Sequence, residues 1–284
     1  MEGRAYKMAG RINSNKEAQF ASRLLGINQQ EQNKSLAKIA SGLRINRSSD
    51  DAAGLAISER LRALSQGFEQ SQNNLQDAAS ALQVAEGGLT NVSDSLQRIR
   101  ELTIQSANDT LTDEDRSLIQ EEVDQLVAEI DRQTQATQFN GRPLLTGDFD
   151  EASGGFKVQV GPNEGDTLQV NIDGTSTANL GIATVDVSTR DAASNALSSI
   201  DSAINGVSSL RANIGANANR ISNASDFVGV ARENTLSALS TIRDTNFADE
   251  ASNLALGQIR NQSNLSALAQ ANLNPRSVLQ LLGQ

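Results

Sequence analysis

One apolar repeat constrains this chain more than any other feature of its sequence. Between positions 75 and 99, apolar residues recur at alternating steps of three and four: Leu75, Ala78, Leu82, Ala85, Leu89, Val92, Leu96 and Ile99. This spacing puts them on one side of an α-helix, in the heptad seam of helices that pack lengthwise. We therefore predict a helix over about residues 71–108. Gly87 and Gly88 lower its intrinsic propensity, so packing against other helices has to stabilise it.

A second helix is predicted directly after this one. Thr112 offers an N-cap hydroxyl, and the acidic residues at 113–115 favour the positive end of a helix dipole. Its seam continues at steps of four, three and four: Ile119, Val123, Leu126 and Ile130. The two helices are expected to pair as antiparallel neighbours across a turn at residues 108–111. Helical spacing returns from Leu197 to Ile242 and again after Phe247.

The middle of the chain has a different pattern. Residues 138–143 form a cluster of turn-forming residues, and the sequence then becomes rich in Gly, Asp and Thr. Apolar residues alternate with polar ones at Phe156, Val158 and Val160, and again at Leu168, Val170 and Ile172. This alternation on both sides of residues 161–165 predicts a β-hairpin. We expect a mainly α fold: a long antiparallel helical bundle or coiled coil built from both chain ends, with a small β-hairpin subdomain between them.

Both ends of the chain carry apolar stripes that are too narrow to form a stable fold alone. The stripe in residues 13–43 includes Leu24, Leu36, Ile39 and Leu43. The stripe in residues 254–282 includes Leu265, Leu268, Val278, Leu279, Leu281 and Leu282. Isolated helices of this kind are marginal in water. They need each other or neighbouring subunits to bury these residues, which is typical of a chain that orders its ends when it polymerises.

The composition argues against several classes of function. The chain has no Cys and no His, so it lacks the usual ligands of zinc and iron–sulfur centres, the usual general base and the thiolate nucleophile. We therefore predict no cofactor, no metal site and no enzymatic activity. A net charge of −10 opposes binding to phosphates and argues against a nucleic-acid partner. No stretch reaches the roughly 20 apolar residues of a membrane span.

The acidic clusters have ordinary structural interpretations. The pairs Asp50–Asp51 and Glu121–Glu122 are expected to cap helices or face solvent rather than to act as acid and base. Residues 109–115 lack the Gly and the terminal Glu of a calcium-binding loop, so we expect a solvated turn there.

Several long motifs resemble those of bacterial flagellins. Residues 41–46 with 50–57, Ser-Gly-Leu-Arg-Ile-Asn and Asp-Asp-Ala-Ala-Gly-Leu-Ala-Ile, are similar to the N-terminal flagellin signature. Residues 96–102 with 105–108 resemble the central helix motif, and residues 137–141 resemble the turn that closes the helical domain. Residues 271–275 with 278–282 are similar to the flagellin C-terminus. Relative to this pattern, residues 1–7 look like an extension before Met8.

The resemblance implies a structural subunit that self-assembles into the flagellar filament used for swimming, secreted to the cell exterior. It implies five segments. Residues 1–47 and 246–284 would form the helical domain of the filament core, residues 48–144 and 191–245 the helical rod domain, and residues 145–190 a small β-rich insert. The ten residues of the two terminal stripes named above would be subunit contacts. Other implied partners are the export apparatus, an export chaperone, the filament cap and the hook-junction proteins.

Two further expectations rest on the same resemblance. Arg98, Leu102 and Glu122 match flagellin positions that contact the flagellin-sensing Toll-like receptor of animal hosts, although subunit packing alone would also explain them. The alternative function is a hook–filament junction protein of the same organelle, whose helical ends are organised alike. The turn at residues 138–141 and the end at residues 278–282 favour the filament subunit.

Overall fold

The structure is a computed structural model. It describes the backbone of residues 15–282 and the side chains of residues 15–273. Within these bounds the chain forms five α-helices and four short strands. The helices are α1 (Lys16–Ser41), α2 (Ala52–Ser106), α3 (Asp113–Ala136), α4 (Arg190–Arg243) and α5 (Phe247–Leu282). The strands are β1 (Gln138–Phe139), β2 (Arg142–Pro143), β3 (Phe156–Gln159) and β4 (Thr167–Val170). The mainly α fold with a small central hairpin subdomain is thus confirmed.

Helix α2 contains the predicted heptad seam, and all eight seam residues from Leu75 to Ile99 are buried. The helix begins 19 residues earlier than the repeat predicts, at Ala52. Ser58, Ser65 and Ser71 are buried along this earlier part of the helix, where apolar residues would have extended the pattern. The Ser58 hydroxyl donates to the carbonyl of Leu55 at 2.8 Å, so its burial leaves no unpaired group.

One of the two glycines inside this helix has a packing role. A Cβ added to Gly88 would lie 2.7 Å from Cγ2 of Thr137 and 3.0 Å from Cδ1 of Leu145. The absence of a side chain therefore lets the segment that follows α3 approach the helix closely. A Cβ added to Gly87 meets no atom within 4 Å.

Helix α3 starts at the predicted cap. The Thr112 hydroxyl accepts a hydrogen bond from the Asp115 backbone N–H at 3.2 Å, while the Asp115 carboxylate accepts one from the Thr112 backbone N–H at 3.1 Å. This reciprocal arrangement is a capping box. Because the Thr112 hydroxyl and backbone N–H both donate to it, the Asp115 carboxyl has a pKa below its usual range.

The β-rich segment packs on α3. Strands β3 and β4 pair in antiparallel register, with Phe156 opposite Val170 and Val158 opposite Leu168, as the alternation predicts. The side chain of Gln120 on α3 accepts a hydrogen bond from the Val187 backbone N–H at 2.6 Å. Further along the helix, the Asp131 carboxylate accepts bonds from the backbone N–H and the hydroxyl of Thr177 at 2.9 and 2.8 Å. These contacts hold the segment after β4 against the helix.

The described residues divide into two compact units. One comprises the residues up to 62 together with those from 236 onward, and the other comprises residues 63–235. The five-part division of the chain stays a prediction. The extension before Met8 lies outside the described residues. No helix within residues 15–282 is both long enough and apolar enough to cross a membrane.

Candidate functional site

The terminal helices α1 and α5 pair with each other in antiparallel orientation. Near the start of α1, the Asn15 side chain donates a 2.7 Å hydrogen bond to the carbonyl of Ala271, far along α5. Near the end of α1, the Lys38 ammonium lies 3.8 Å from the carboxylate of Glu250, in the first turn of α5. The sequence argument that the two ends need each other is consistent with this pairing.

The pair has almost no apolar core of its own. Among its described side chains, the buried ones are small or polar: Ala21, Ser35, Glu250 and Ala271. Phe20 and Leu24 border a groove of about 510 Å³ between the two helices, opposite Ala267. A helix pair held by so few buried apolar groups is marginally stable by itself.

The same two helices expose an unusual number of large apolar side chains. Eight of them are between 47% and 63% exposed: Phe20, Ile27, Leu36, Phe247, Leu256, Ile259, Leu265 and Leu273. Burying a fully exposed side chain of this size contributes about 1.5–3 kcal/mol, so the half-exposed set could contribute on the order of 10 kcal/mol on contact with a partner. Single exposed apolar residues are ordinary, but a group on one small unit indicates an interaction surface.

The structure locates part of the predicted contact set. Leu36 and Leu265 are exposed, whereas Leu24, Ile39, Leu43 and Leu268 are half-buried. The side chains of Val278, Leu279, Leu281 and Leu282 lie outside the described residues. The predicted contact set does not include several exposed members of the surface: Phe20, Ile27, Phe247, Leu256, Ile259 and Leu273. The steps of four and three from Phe20 to Leu24 to Ile27 could have revealed the first two.

The acidic pair at the start of α2 organises the connection from α1. The Asp50 carboxylate accepts hydrogen bonds from the backbone N–H groups of Asn46 and Arg47, at 3.2 and 3.0 Å, and these bonds lower its pKa. Asp51 accepts a bond from the N–H of Gly54 at 2.8 Å, as an N-cap does. The capping interpretation is therefore confirmed for Asp51, whereas Asp50 stabilises the turn that precedes the helix.

Tight packing at Gly54 explains part of the Asp-Asp-Ala-Ala-Gly motif. A Cβ at this position would lie 2.7 Å from Cδ1 of Ile45, which is buried. Two backbone hydrogen bonds then connect this segment with the residues that precede α5. The Arg44 N–H donates to the carbonyl of Arg243 at 2.7 Å, and the Thr245 N–H donates to the carbonyl of Gly42 at 3.0 Å.

The three residues that match the receptor-contact positions lie on α2 and α3. The Arg98 guanidinium donates to Glu122 at 2.8 and 3.1 Å and to Glu101 at 3.3 Å. Both carboxylates raise the pKa of Arg98. Leu102 is only 3% exposed and belongs to the apolar core. The structure therefore brings Arg98 and Glu122 together on the surface but puts Leu102 beneath it.

Comparison with protein families gives two matches that together span most of the chain. Residues 12–150 match the bacterial flagellin N-terminal helical region, and residues 197–282 match the bacterial flagellin C-terminal helical region. The unmatched interval contains the β3–β4 hairpin and the loops that follow it.

Known relatives resemble the chain over nearly its whole length. A flagellar filament 30.7 kDa core protein of Treponema maltophilum is 40% identical over 282 residues, which is 95% of this chain and 99% of that protein. A flagellin of Halalkalibacterium halodurans is 40% identical over 273 residues, with the same shares covered.

One solved structure shares the fold at lower sequence identity. It is described as a putative flagellar hook-associated protein from Vibrio parahaemolyticus, and it covers 69% of this chain and all of its own, with a TM-score of 0.55. At 20% identity the likeness concerns the fold alone.

Proposed function

This chain belongs to the bacterial flagellin family, and from that membership we infer that it polymerises through the apolar faces of its terminal helices α1 and α5. It is a structural subunit of the flagellar filament, since a flagellar filament core protein and a flagellin each match 95% of it. The flagellar filament is an extracellular structure. The two near-complete relatives support the filament subunit, and none of these comparisons favours a junction protein.

The observation that carries the proposed contact surface is the exposure of eight large apolar side chains on a helix pair with a thin core. A monomer in water gains nothing from this arrangement, because each exposed group keeps its hydration cost. A neighbouring subunit would remove that cost. We assign the contact to these eight side chains together with the predicted residues: Leu24, Leu36, Ile39, Leu43, Leu265, Leu268, Val278, Leu279, Leu281 and Leu282.

Two matched leucine variants test the assignment. Leu36→Ser removes an exposed leucine from α1, and the control Leu118→Ser removes an equally large exposed leucine from α3 in the other unit. We expect Leu36→Ser to raise the critical concentration for growth on filament seeds by about tenfold, since a half-exposed leucine contributes about 1–1.5 kcal/mol on burial.

The control is expected to change that concentration less than threefold. Circular dichroism of the dilute monomers checks that both variants keep their helices. Equal critical concentrations for the two folded variants would contradict the assignment of α1 to the contact.

Assembly outside the cell requires export, so we propose that the flagellar export apparatus, an export chaperone, the filament cap and the hook-junction proteins are partners. The narrow, poorly cored terminal helices support this proposal, since segments of low stability unfold readily for passage through a channel. Deleting the flagellar export apparatus in a host strain should leave the subunit inside the cell. Normal amounts in the medium of that strain would contradict export by this route.

We also propose Arg98 and Glu122 as contacts for the flagellin-sensing Toll-like receptor, with Leu102 supporting them from below. Arg98 is half-exposed and offers a planar set of donors, which suits a contact hot spot. Arg98→Ala should weaken binding of the monomer to the receptor ectodomain by tenfold or more. The control Arg132→Ala removes another exposed, ion-paired arginine, on α3. Equal affinities for the two variants would contradict the assignment.

A further inference from the structure

A second apolar depression lies in residues 63–235, away from the terminal helices. Helices α2 and α4 leave between them a groove of about 630 Å³. Its floor is formed by the edges of core residues on both helices: Leu75, Leu82, Ile214 and Ile221. The groove is open at Gly215, where an added Cβ would meet no atom within 4 Å. An ion pair between Glu86 and Arg211, 2.8 Å apart, borders it.

Helix α4 also carries a pair of protruding apolar side chains. Phe227 is 71% exposed and Val230 is 58% exposed, and Phe227 is the most exposed large apolar side chain in the described part of the chain. Their spacing of three positions puts both on one face of the helix. We call these two residues the α4 knob.

Phe227, the larger residue of the knob, points away from the groove. Phe227 follows the groove residue Ala218 by nine positions. At 3.6 residues per turn, nine positions make two and a half turns, so the two side chains point about 180° apart. Phe227 of one molecule therefore cannot reach its own groove.

A polymer needs this kind of geometry. A contact between two different surfaces of identical subunits does not close into a dimer, and it repeats into a filament when the rotation between subunits is not closed. A subunit that carries a projection on one side and a matching depression on the other can add copies without limit.

We propose that the α4 knob of one subunit enters the α2–α4 groove of a neighbouring subunit, as a lateral contact between the rod units of the filament. The proposal rests on the filament function above and adds a contact distinct from the terminal helices. Phe227 supplies an aromatic anchor of the type that dominates contact energetics, and the floor of the groove supplies aliphatic carbon for it. The polar rim stays in contact with water.

Filling the groove tests the proposal without removing any native contact. Gly215→Leu places a side chain at the groove, at a position where an added Cβ meets no atom within 4 Å. The matched control is Gly206→Leu, since Gly206 also lies in α4 and its added Cβ also meets no atom within 4 Å, but it does not line the groove. Gly215→Leu is expected to raise the critical concentration at least tenfold, and Gly206→Leu less than threefold.

A crosslink provides a second test that does not depend on critical concentration. The chain contains no cysteine, so the double variant Ala218→Cys, Phe227→Cys carries only the two introduced thiols. Within one molecule these thiols point apart and cannot bond. Mild oxidation of filaments should give a ladder of covalent multimers on a non-reducing gel, whereas either single-cysteine variant should give dimers at most.

The outcomes separate this contact from the proposed function. If the unmodified protein fails to polymerise, the filament function itself is contradicted. If the unmodified protein polymerises and Gly215→Leu polymerises equally well, the groove contact alone is contradicted. The groove contact is also contradicted if the double-cysteine variant forms intact filaments whose subunits run only as monomers on the gel after oxidation. If that variant forms no filaments, the comparison of Gly215→Leu with Gly206→Leu decides.

Discussion

Replacing Arg116 should destabilise the turn between α2 and α3 far more than an ordinary surface arginine would. Its side chain is almost fully buried, and the guanidinium donates to the carbonyls of Ser106 at 2.8 Å, Asn108 at 2.7 Å and Leu111 at 3.0 Å. It also pairs with Asp113 at 3.1 Å. Arg116→Met keeps much of the stem but leaves three carbonyls without this donor. At about 1.5 kcal/mol for each hydrogen bond, the low end of the range for bonds that involve a charged group, the loss is about 4–5 kcal/mol.

The control for this change is Arg132→Met on the same helix. Arg132 is exposed and pairs only with Glu129, three positions earlier on the same helix, so its loss should cost less than about 1 kcal/mol. Urea unfolding of the dilute monomer, followed by circular dichroism at 222 nm, measures both free energies. Hydrogen exchange at residues 106–116 localises the effect. A loss for Arg116→Met that equals the loss for Arg132→Met would refute the reasoning.

Two further predictions concern α2 and α3. Gly88→Ala should lower the free energy of unfolding by about 1–3 kcal/mol, because its Cβ would crowd Thr137. Gly87→Ala should raise the free energy of unfolding by up to about 1 kcal/mol, because alanine has the higher helix propensity. Paired urea titrations measure both values, and equal effects would contradict the close approach at Gly88. The native pKa of Asp115 is lowered, so its contribution is present at neutral pH and is lost as pH falls below about 4 through that lowered pKa. Asp115→Asn should therefore flatten the decline of stability with acid in this range, and an unchanged acid profile would count against the capping box.

Several parts of the fold follow from the sequence because local and tertiary preferences agree there. The heptad seam from Leu75 to Ile99 places its apolar groups on one face, and those groups are buried. Thr112 and Asp115 cap α3 because a hydroxyl and a carboxylate three residues apart satisfy each other's backbone donors. The β3–β4 hairpin follows from period-two alternation on either side of a glycine-rich turn.

Other parts depend on information that residue type does not carry. The first part of α2 buries serines where aliphatic residues would continue the seam. A serine does not predict a core position, although its hydroxyl can bond within the helix as that of Ser58 does. Leu102 lies three positions after Ile99 and continues the apolar seam, so its spacing predicts the burial that the resemblance to a contact motif does not. Leu265 was the one exposed α5 residue in the predicted contact set; the other exposed residues of the described part of α5 were not predicted because its apolar residues are spread around the helix rather than along one stripe.

The α2–α4 groove was also beyond sequence reasoning. It arises from the absence of side-chain volume at Gly215 and Ala218 between two helices whose relative position the sequence does not specify. Small residues in a helix have many explanations, and the geometry of a neighbour is needed to choose among them.

Hydrogen exchange of monomer and filament tests the central claim most directly, since it reports on the terminal helices in the assembled and unassembled protein. The account predicts fast exchange in α1 and in residues 247–273 of the monomer, because the pair has a thin core, and slowing by at least a hundredfold in the filament, where neighbours cover its apolar faces. Residues of the buried α2 seam serve as the internal reference and should be protected in both states. Equal exchange rates for α1 and α5 in monomer and filament would contradict the claim that these helices form the subunit contact.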